Sequence, residues 1–263
     1  MLNCRQGQIE LTEQGDIRKI FASIAEVKAT FAWYEANQPG FVKGFYDKSI
    51  IMPYLQKPMI ERPEVWGSLL AFIRAKHSNA RFGRISANDI FCETIAKFVN
   101  RYNTSILQDD EAYVLARGYV AKAYTFIASQ PDALIAGHFD LHPLNVFLDD
   151  NTFVFIDPRA RFGNGAYGPL AYETSKVCYG MMLWPALSES PINQLCEKPI
   201  SDLLLWPVEE LLVEMSQLEK AWCVVHLLTA FGILHDDPVR QVIAFYSGLN
   251  LIQDVIRFEC EWL

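Results

Sequence analysis

Residues 137–163, GHFDLHPLNVFLDDNTFVFIDPRARFG, hold two histidines, several aspartates and an asparagine within a short space. Two chemistries suit these residue types. His138, Asp140 and His142 alternate as His-x-Asp-x-His, and imidazole with carboxylate suits zinc or iron. Pro143 follows at once, however, so the segment is a loop and not a helix that presents ligands one turn apart, and His77, His226 and His235 stand isolated. Phosphoryl transfer uses more of the stretch. It needs a carboxylate to orient the attacking hydroxyl and accept its proton, and oxygen ligands for magnesium, a hard ion. Asp140 is then the candidate catalytic base, with Asn145 and Asp157 as candidate magnesium ligands.

These three positions need elements that bring them together. "NVFL" and "TFVFID" read as two short strands joined by Asp149-Asp150-Asn151, a turn composition, and such a hairpin carries Asn145 and Asp157 toward one ion. Upstream, "QIELTE" and "DIRKIF" alternate around Gln14-Gly15 as a hairpin does. "IAEVKATFAWYEAN" reads as a helix with Ile24, Val27, Phe31 and Tyr34 on one stripe, stopped by Pro39-Gly40. "FVKGFYDKSIIMPYL" reads as two more strands around Asp47-Lys48. From about residue 60 the pattern turns helical. Val65, Leu69, Phe72 and Ile73 share one face, and a second helix capped at Asn88 or Asp89 aligns Phe91, Ile95, Phe98 and Tyr102. A longer helix starts at Asp109-Asp110-Glu111, acids that suit the positive end of its dipole. The expected fold class is α+β: a small β-rich N-terminal lobe (1–54) and a larger, mainly helical C-terminal lobe (55–263).

Bulk properties narrow the classes. Over 263 residues the chain is 51% hydrophobic and 21% charged, which is globular composition. A net charge of −8 argues against nucleic acid as a partner, since phosphates need a basic face. Six cysteines lie scattered with no CxxC, as expected of free thiols in a reducing compartment. No apolar leader opens the sequence, and the longest nearly apolar run, residues 221–234, is too short to span a bilayer. The expectation is a soluble cytoplasmic protein with no membrane partner; its oligomeric state is not readable. Gly163, Gly165 and Gly168 match GxGxxG by count but lie in a loop beyond the strand, where a dinucleotide site would require a helix to open. There is no GxxxxGK[ST].

His138-Phe139-Asp140, four residues and Asn145, then a strand ending at Asp157, follow the order of the protein-kinase catalytic loop and its metal-binding aspartate. The stretch resembles more closely the H-G-D-x-H-x-x-N motif, followed by a strand and I-D, of the aminoglycoside phosphotransferase and choline kinase family. "FIDPRARFGNGAYGPLAYETSKVCYG" is similar to the continuation I-D-P-R-G…G-D-x-x-Y-D-x-A-K in that superfamily. The resemblance implies a bilobal, protein-kinase-like fold, ATP or GTP with Mg2+ as cofactors, and a small hydroxyl-bearing molecule as acceptor. It implies Asp140 as base, Asn145 and Asp157 as magnesium ligands, His138 as a brace of the loop, and His142 as a second brace or a phosphate contact. Arg159 and Lys176 would be structural or would touch substrate. Two departures stand out: Phe139 replaces the usual Gly after the first His, where φ > 0 is wanted, and the Asp of G-D-x-x-Y-D is missing, with Gly168 and Glu173 nearby.

A kinase of this kind also needs a small-lobe lysine paired with a glutamate on the adjacent helix. Lys19 is the candidate, with Arg18 a rival. Glu26, early in the helix, is the preferred partner and Glu35 the alternative. "IIMPYLQKP" has the character of an inter-lobe linker, where backbone groups near Met52, Tyr54 and Leu55 would meet adenine. Only 18 residues precede Lys19, so any phosphate lid is short. Asp236 and Asp237 either line a pocket for a cationic acceptor or cap the last helix. A nucleotide-binding pseudokinase is the alternative function. A protein kinase is disfavoured because no A-P-E-like segment follows Asp157.

Overall fold

The computed structural model describes residues 2–4, 7–55, 65–142, 145–149, 152–187, 208–234, 236–257 and 262. The chain is mixed α+β. Its first unit is a five-stranded antiparallel sheet built from β1 (Leu2–Cys4), β2 (Gly7–Leu11), β3 (Ile17–Ile20), β4 (Gly44–Tyr46) and β5 (Ser49–Met52), in the order β1-β2-β3-β5-β4. Gly15, at φ +80°, makes the β2–β3 turn that a residue with a Cβ would resist. Between β3 and β4 the chain leaves the sheet as α1 (Ile24–Asn37). Ser23 caps this helix by accepting from Glu26 N at 3.2 Å. The helix buries Val27, Thr30, Trp33 and Tyr34, a face rotated from the expected stripe, so Ile24 is exposed.

Helices α2 (Trp66–Lys76), α3 (Ala87–Phe91), α4 (Lys97–Asn103) and α5 (Asp110–Ser129) follow. Ser86, not Asn88 or Asp89, caps α3, accepting from Asp89 N. Between α3 and α4 the helix continues through one widened π turn, Cys92–Ala96. The Thr94 hydroxyl, inside this turn, donates to Ile90 O at 2.7 Å. A three-stranded sheet, not expected from the sequence, joins β6 (Arg81–Gly83), β7 (Asp132–Ile135) and β10 (Gly168–Pro169) in the order β10-β7-β6. The predicted hairpin is β8 (Val146–Asp149) with β9 (Thr152–Phe155), antiparallel, with Val146 opposite Phe155. Turn residues 150–151 lie outside the described residues.

The C-terminal part is helical: α6 (Leu170–Leu187), α7 (Val208–Glu214), α8 (Gln217–Thr229), a 3-10 turn at Ala230–Ile233, and α9 (Pro238–Arg257). The apolar run noted in the sequence forms α8, buried along nearly its whole length, which accounts for its unrelieved hydrophobicity. Ser216 and Glu219 close a capping box at its start. Glu219 also accepts from Thr174 Oγ1 at 2.7 Å and Arg74 at 3.0 Å, tying α6 and α2 to α8. No described helix is long and apolar enough to cross a membrane. Cys92, Cys178 and Cys223 are not in disulfides.

Candidate active site

The hairpin sets the two proposed metal ligands side by side. Ile156 N donates to Asn145 O at 3.0 Å, one step beyond the Val146–Phe155 pair, so Asn145 and Asp157 flank the open end of the ladder. Asn145 Nδ2 donates to Asp140 O at 2.9 Å, which leaves the amide oxygen as the available ligand atom and fastens the Asp140 loop to the hairpin. Asp140, His142, Asn145 and Asp157 line one cavity of about 910 Å³. Residues 143–144 lie outside the described residues.

Helix α1 and Gln38, the residue that caps its C-terminus, grip this assembly through three side chains that all reach backbone. Trp33 Nε1 donates to Gly137 O at 3.0 Å, and Asp157 N donates to the Tyr34 hydroxyl at 3.1 Å. Gln38 donates to Phe155 O at 2.7 Å and accepts from Phe155 N at 2.8 Å, acting as a short surrogate strand on the β9 edge. Asp157 is held at φ +56°, a strained conformation for a residue with a Cβ, of the kind found at functional sites.

Lys19 Nζ lies 2.7 Å from Asp157 Oδ1, and the lysine side chain is only 2% exposed. The expected partner, Glu26, is not there. Glu26 and Glu35 are both exposed on α1, and the ion pair of Lys19 among the described residues is with Asp157. The face of α1 turned inward carries Trp33 and Tyr34, leaving no acid to meet the lysine. Arg18, the rival, bonds Ser49 Oγ on the same sheet. Met52 is a core residue, Tyr54 is exposed and Leu55 is half-buried; none of the three lines the cavity. The continuation of that linker, 56–64, lies outside the described residues.

His138 has both ring nitrogens engaged. Nε2 is 2.6 Å from Ile156 O, and Nδ1 accepts from Asp140 N at 3.2 Å. This arrangement assigns the proton to Nε2, and burial pushes the imidazole pKa down to about 4, so the ring is neutral. It ties the loop to the hairpin, does not line the cavity, and has no lone pair left for a transition metal. Among the described residues no group of His, Cys, Asp and Glu is arranged to hold a metal ion by itself.

Glu173, at the start of α6, accepts from His138 N and Phe139 N, both at 2.7 Å. Burial raises its pKa to about 7 against the pull of these two donors. The carboxylate clamps the turn in which Phe139 sits at φ +57°. The Phe139 ring, fully buried, meets Phe162 and Tyr172 edge-on at 5.9 and 6.1 Å. A Cβ on Gly137 or on Gly168 would come within 2.8 or 2.7 Å of that ring. Glycine thus stands at the two positions that face the ring.

Asp140 Oδ1 is 2.9 Å from Lys176 Nζ, on α6. Burial works to raise the Asp140 pKa, but the Lys176 ammonium, through its charge and its hydrogen bond, acts together with His142 and His138 to hold the carboxyl well below its ordinary 3.8. The ionised pair therefore persists above the ordinary aspartate range and is lost only as pH falls through the depressed value. Replacing Lys176 with Met leaves burial dominant. We expect the Asp140 carboxyl titration, followed by NMR, to move upward in that variant; an unmoved titration would show that Lys176 does not set the Asp140 charge.

The sequence reading missed Glu93. The π turn swings it inward, where it is 3% exposed and receives Arg159 through both guanidinium nitrogens, Lys97 Nζ at 3.3 Å and the Tyr172 hydroxyl at 3.3 Å. Arg159 and Lys97 also line the cavity, as does Arg101. Asp237, in contrast, caps α9 by accepting from Arg240 N at 3.0 Å, and neither it nor the exposed Asp236 lines the cavity.

No protein-family model matches the sequence, and no curated protein matches it. Among solved structures, a glucosamine kinase is similar to this chain at a TM-score of 0.48 and 10% identity, over 97% of this chain and 75% of that one. A likeness of that size does not establish a shared fold, and the functional reading rests on the site itself.

Proposed function

We propose that the chain is a small-molecule kinase of the aminoglycoside phosphotransferase and choline kinase type, with a bilobal, protein-kinase-like arrangement of its sheet and its helices. It transfers the γ-phosphoryl group of ATP or GTP to an acceptor hydroxyl. The observation that carries this reading is the convergence of Asp140, Asn145 and Asp157 on one cavity, with Lys19 bonded to Asp157.

The acceptor oxygen attacks the γ-phosphorus, the bond from that phosphorus to the β–γ bridging oxygen breaks, and the acceptor proton passes to Asp140. Phosphoryl transfer has a loose transition state with little demand for a strong base. Asp140, held ionised by Lys176, suits the task of orienting the hydroxyl and taking its proton late. Asn145 Oδ1 and the Asp157 carboxylate are hard oxygen donors of the kind magnesium requires. Bound there, magnesium would supply neutralisation of the phosphate charge. Lys19 adds a cation at the same edge of the site.

A thermal-shift titration with Mg-ATP and Mg-GTP tests the reading, because a ligand that binds only the native state must raise Tm. Wild type is expected to shift with at least one nucleotide, dependent on magnesium, and Asp157→Ala is expected to lose that shift. No magnesium-dependent shift in wild type ends the proposal. The pseudokinase reading has one observation in its favour: Lys19 sits on Asp157 Oδ1, which a metal would have to share or take over. Nucleotide binding without transfer to any acceptor would select it.

A further inference from the structure

We infer that the acceptor carries an anionic group, carboxylate or phosphate, which Lys97 and Arg101 receive in the same cavity as Asp140. The inference rests on the kinase reading for the reaction but on separate residues for the recognition. The cavity is lined by four cations, Lys97, Arg101, Arg159 and Lys176, and by three anions, Glu93, Asp140 and Asp157. The anions are already committed. Asp140 pairs with Lys176, Asp157 pairs with Lys19, and Glu93 takes both nitrogens of Arg159. Lys97 keeps only a share of Glu93, at 3.3 Å, with the Tyr172 hydroxyl at 3.2 Å. Arg101 donates to Thr229 O and forms no ion pair among the described residues. One side of the cavity therefore holds Lys97, Arg101 and Arg159 against the single charge of Glu93.

The arrangement is built and not incidental. The π turn carries Glu93 inward, one helical turn before Lys97. Gly232 leaves the space that the Arg101 stem fills, since a Cβ there would come within 2.4 Å of Arg101 Cδ. Burial, together with Arg101, Lys176 and Arg159, brings the Lys97 pKa down to about 7 despite Glu93. Tyr172 and His226 are the other titratable groups beside it, and His226 is neutral because burial holds its pKa well below 6.5. An anion placed among these cations relieves their mutual repulsion. A cationic acceptor would add to it, and the acids that could have welcomed one, Asp236 and Asp237, lie outside the cavity.

The test compares hydroxyl-bearing acceptors that differ in charge, each anionic probe set against its neutral parent, by nucleotide-dependent ADP release and by thermal shift. The neutral probes are glycerol and glucose, the cationic ones choline and kanamycin, the hydroxy acids glycerate and gluconate, and the phosphorylated ones glycerol 3-phosphate and glucose 6-phosphate. The hydroxy-acid and sugar-phosphate arms separate the two sources of negative charge. An anionic probe is expected to exceed its neutral parent in kcat/KM by about ten- to a hundred-fold, the range of a charge-assisted hydrogen bond. Its KM is expected to rise above about pH 7 as Lys97 loses its proton. Arg101→Met is expected to remove most of the preference and Arg101→Lys to restore part of it, while the Mg-ATP shift is retained as proof of folding. Preference for neutral or cationic probes, or a rise in KM for Mg-ATP alone in Arg101→Met, overturns the inference and leaves the kinase reading standing. If wild type shows no nucleotide shift, the kinase reading fails, and the thermal shifts with gluconate and glucose 6-phosphate decide the anion site alone. Equal shifts in wild type and Arg101→Met, or none in wild type, overturn it.

Discussion

Asp140→Asn is expected to lower kcat by about 10²- to 10⁴-fold, the usual worth of a positioned proton acceptor, with a small change in KM for Mg-ATP. The amide keeps the size of the side chain and can still accept from Lys176 Nζ, now 2.9 Å from Oδ1. It also keeps the main-chain carbonyl to which Asn145 Nδ2 donates, so the hairpin stays docked. On the proposed reaction, what is lost is the charge that orients the acceptor hydroxyl and the site that takes its proton. The loss should fall on kcat and kcat/KM together, because the interaction is made mainly in the transition state. Single-turnover rates with a preloaded nucleotide check this directly. Retention of more than a tenth of wild-type kcat would remove Asp140 from its assigned role. The pH profile offers an independent check, since the depressed acid limb of wild type depends on a group that the variant no longer has.

Phe139→Gly is expected to destabilise the protein by about 2–4 kcal/mol, although it restores the residue that the resembled motif carries at this position. Two effects oppose each other. Glycine relieves the left-handed backbone at φ +57°, worth about 1–2 kcal/mol for a residue with a Cβ. Removing a fully buried phenylalanine ring costs about 3–5 kcal/mol for lost burial and the cavity left behind, and a glycine adds about 0.5–1 kcal/mol of unfolded-state entropy. The cavity term is large here because Gly137 and Gly168 have no side chains to collapse into the space. Urea unfolding of wild type and variant measures the difference. A variant as stable as wild type would mean that the ring contributes little beyond offsetting its own strain.

Much of the site's scaffold was legible because local rules carried it. Gly15 and Asp47-Lys48 marked two turns, alternation marked the strands beside them, and the β8–β9 hairpin followed from its turn composition. The motif residues Asp140, Asn145 and Asp157 meet in space for the same reason, since one hairpin and one loop hold all three. What was not legible depended on distance in the chain. The partner of Lys19 is 138 residues away, and nothing in the helix beside it excludes Glu26 as an equally good reading. Strands β6, β7 and β10 have two to four residues each, too few to show a period. Glu93 and Arg101 read as ordinary polar residues on an amphipathic helix. The wide turn at Cys92–Ala96 breaks the period on which that reading depends, so Phe91 comes out exposed while Phe98 and Tyr102 stay buried. The inward stripe of α1 was misplaced for a different reason: Trp33 and Tyr34 face the hairpin's backbone as well as the core, and a periodicity argument scores only the core.

The way α1 holds the hairpin has a consequence for how this site tolerates change. Trp33, Tyr34 and Gln38 address only peptide groups, at Gly137, Asp157 and Phe155. Peptide groups are common to nearly all residues, so the hydrogen bonds of this grip do not depend on the side chains at 155 and 157, provided proline stays out of both positions, whereas Gly137 is fixed by the Phe139 ring beside it. The helix has no such freedom, since each of its three reaching groups is a specific amide, indole or phenol. Variation at positions 155 and 157 can therefore accumulate on the hairpin side of this junction while the α1 side is held nearly fixed.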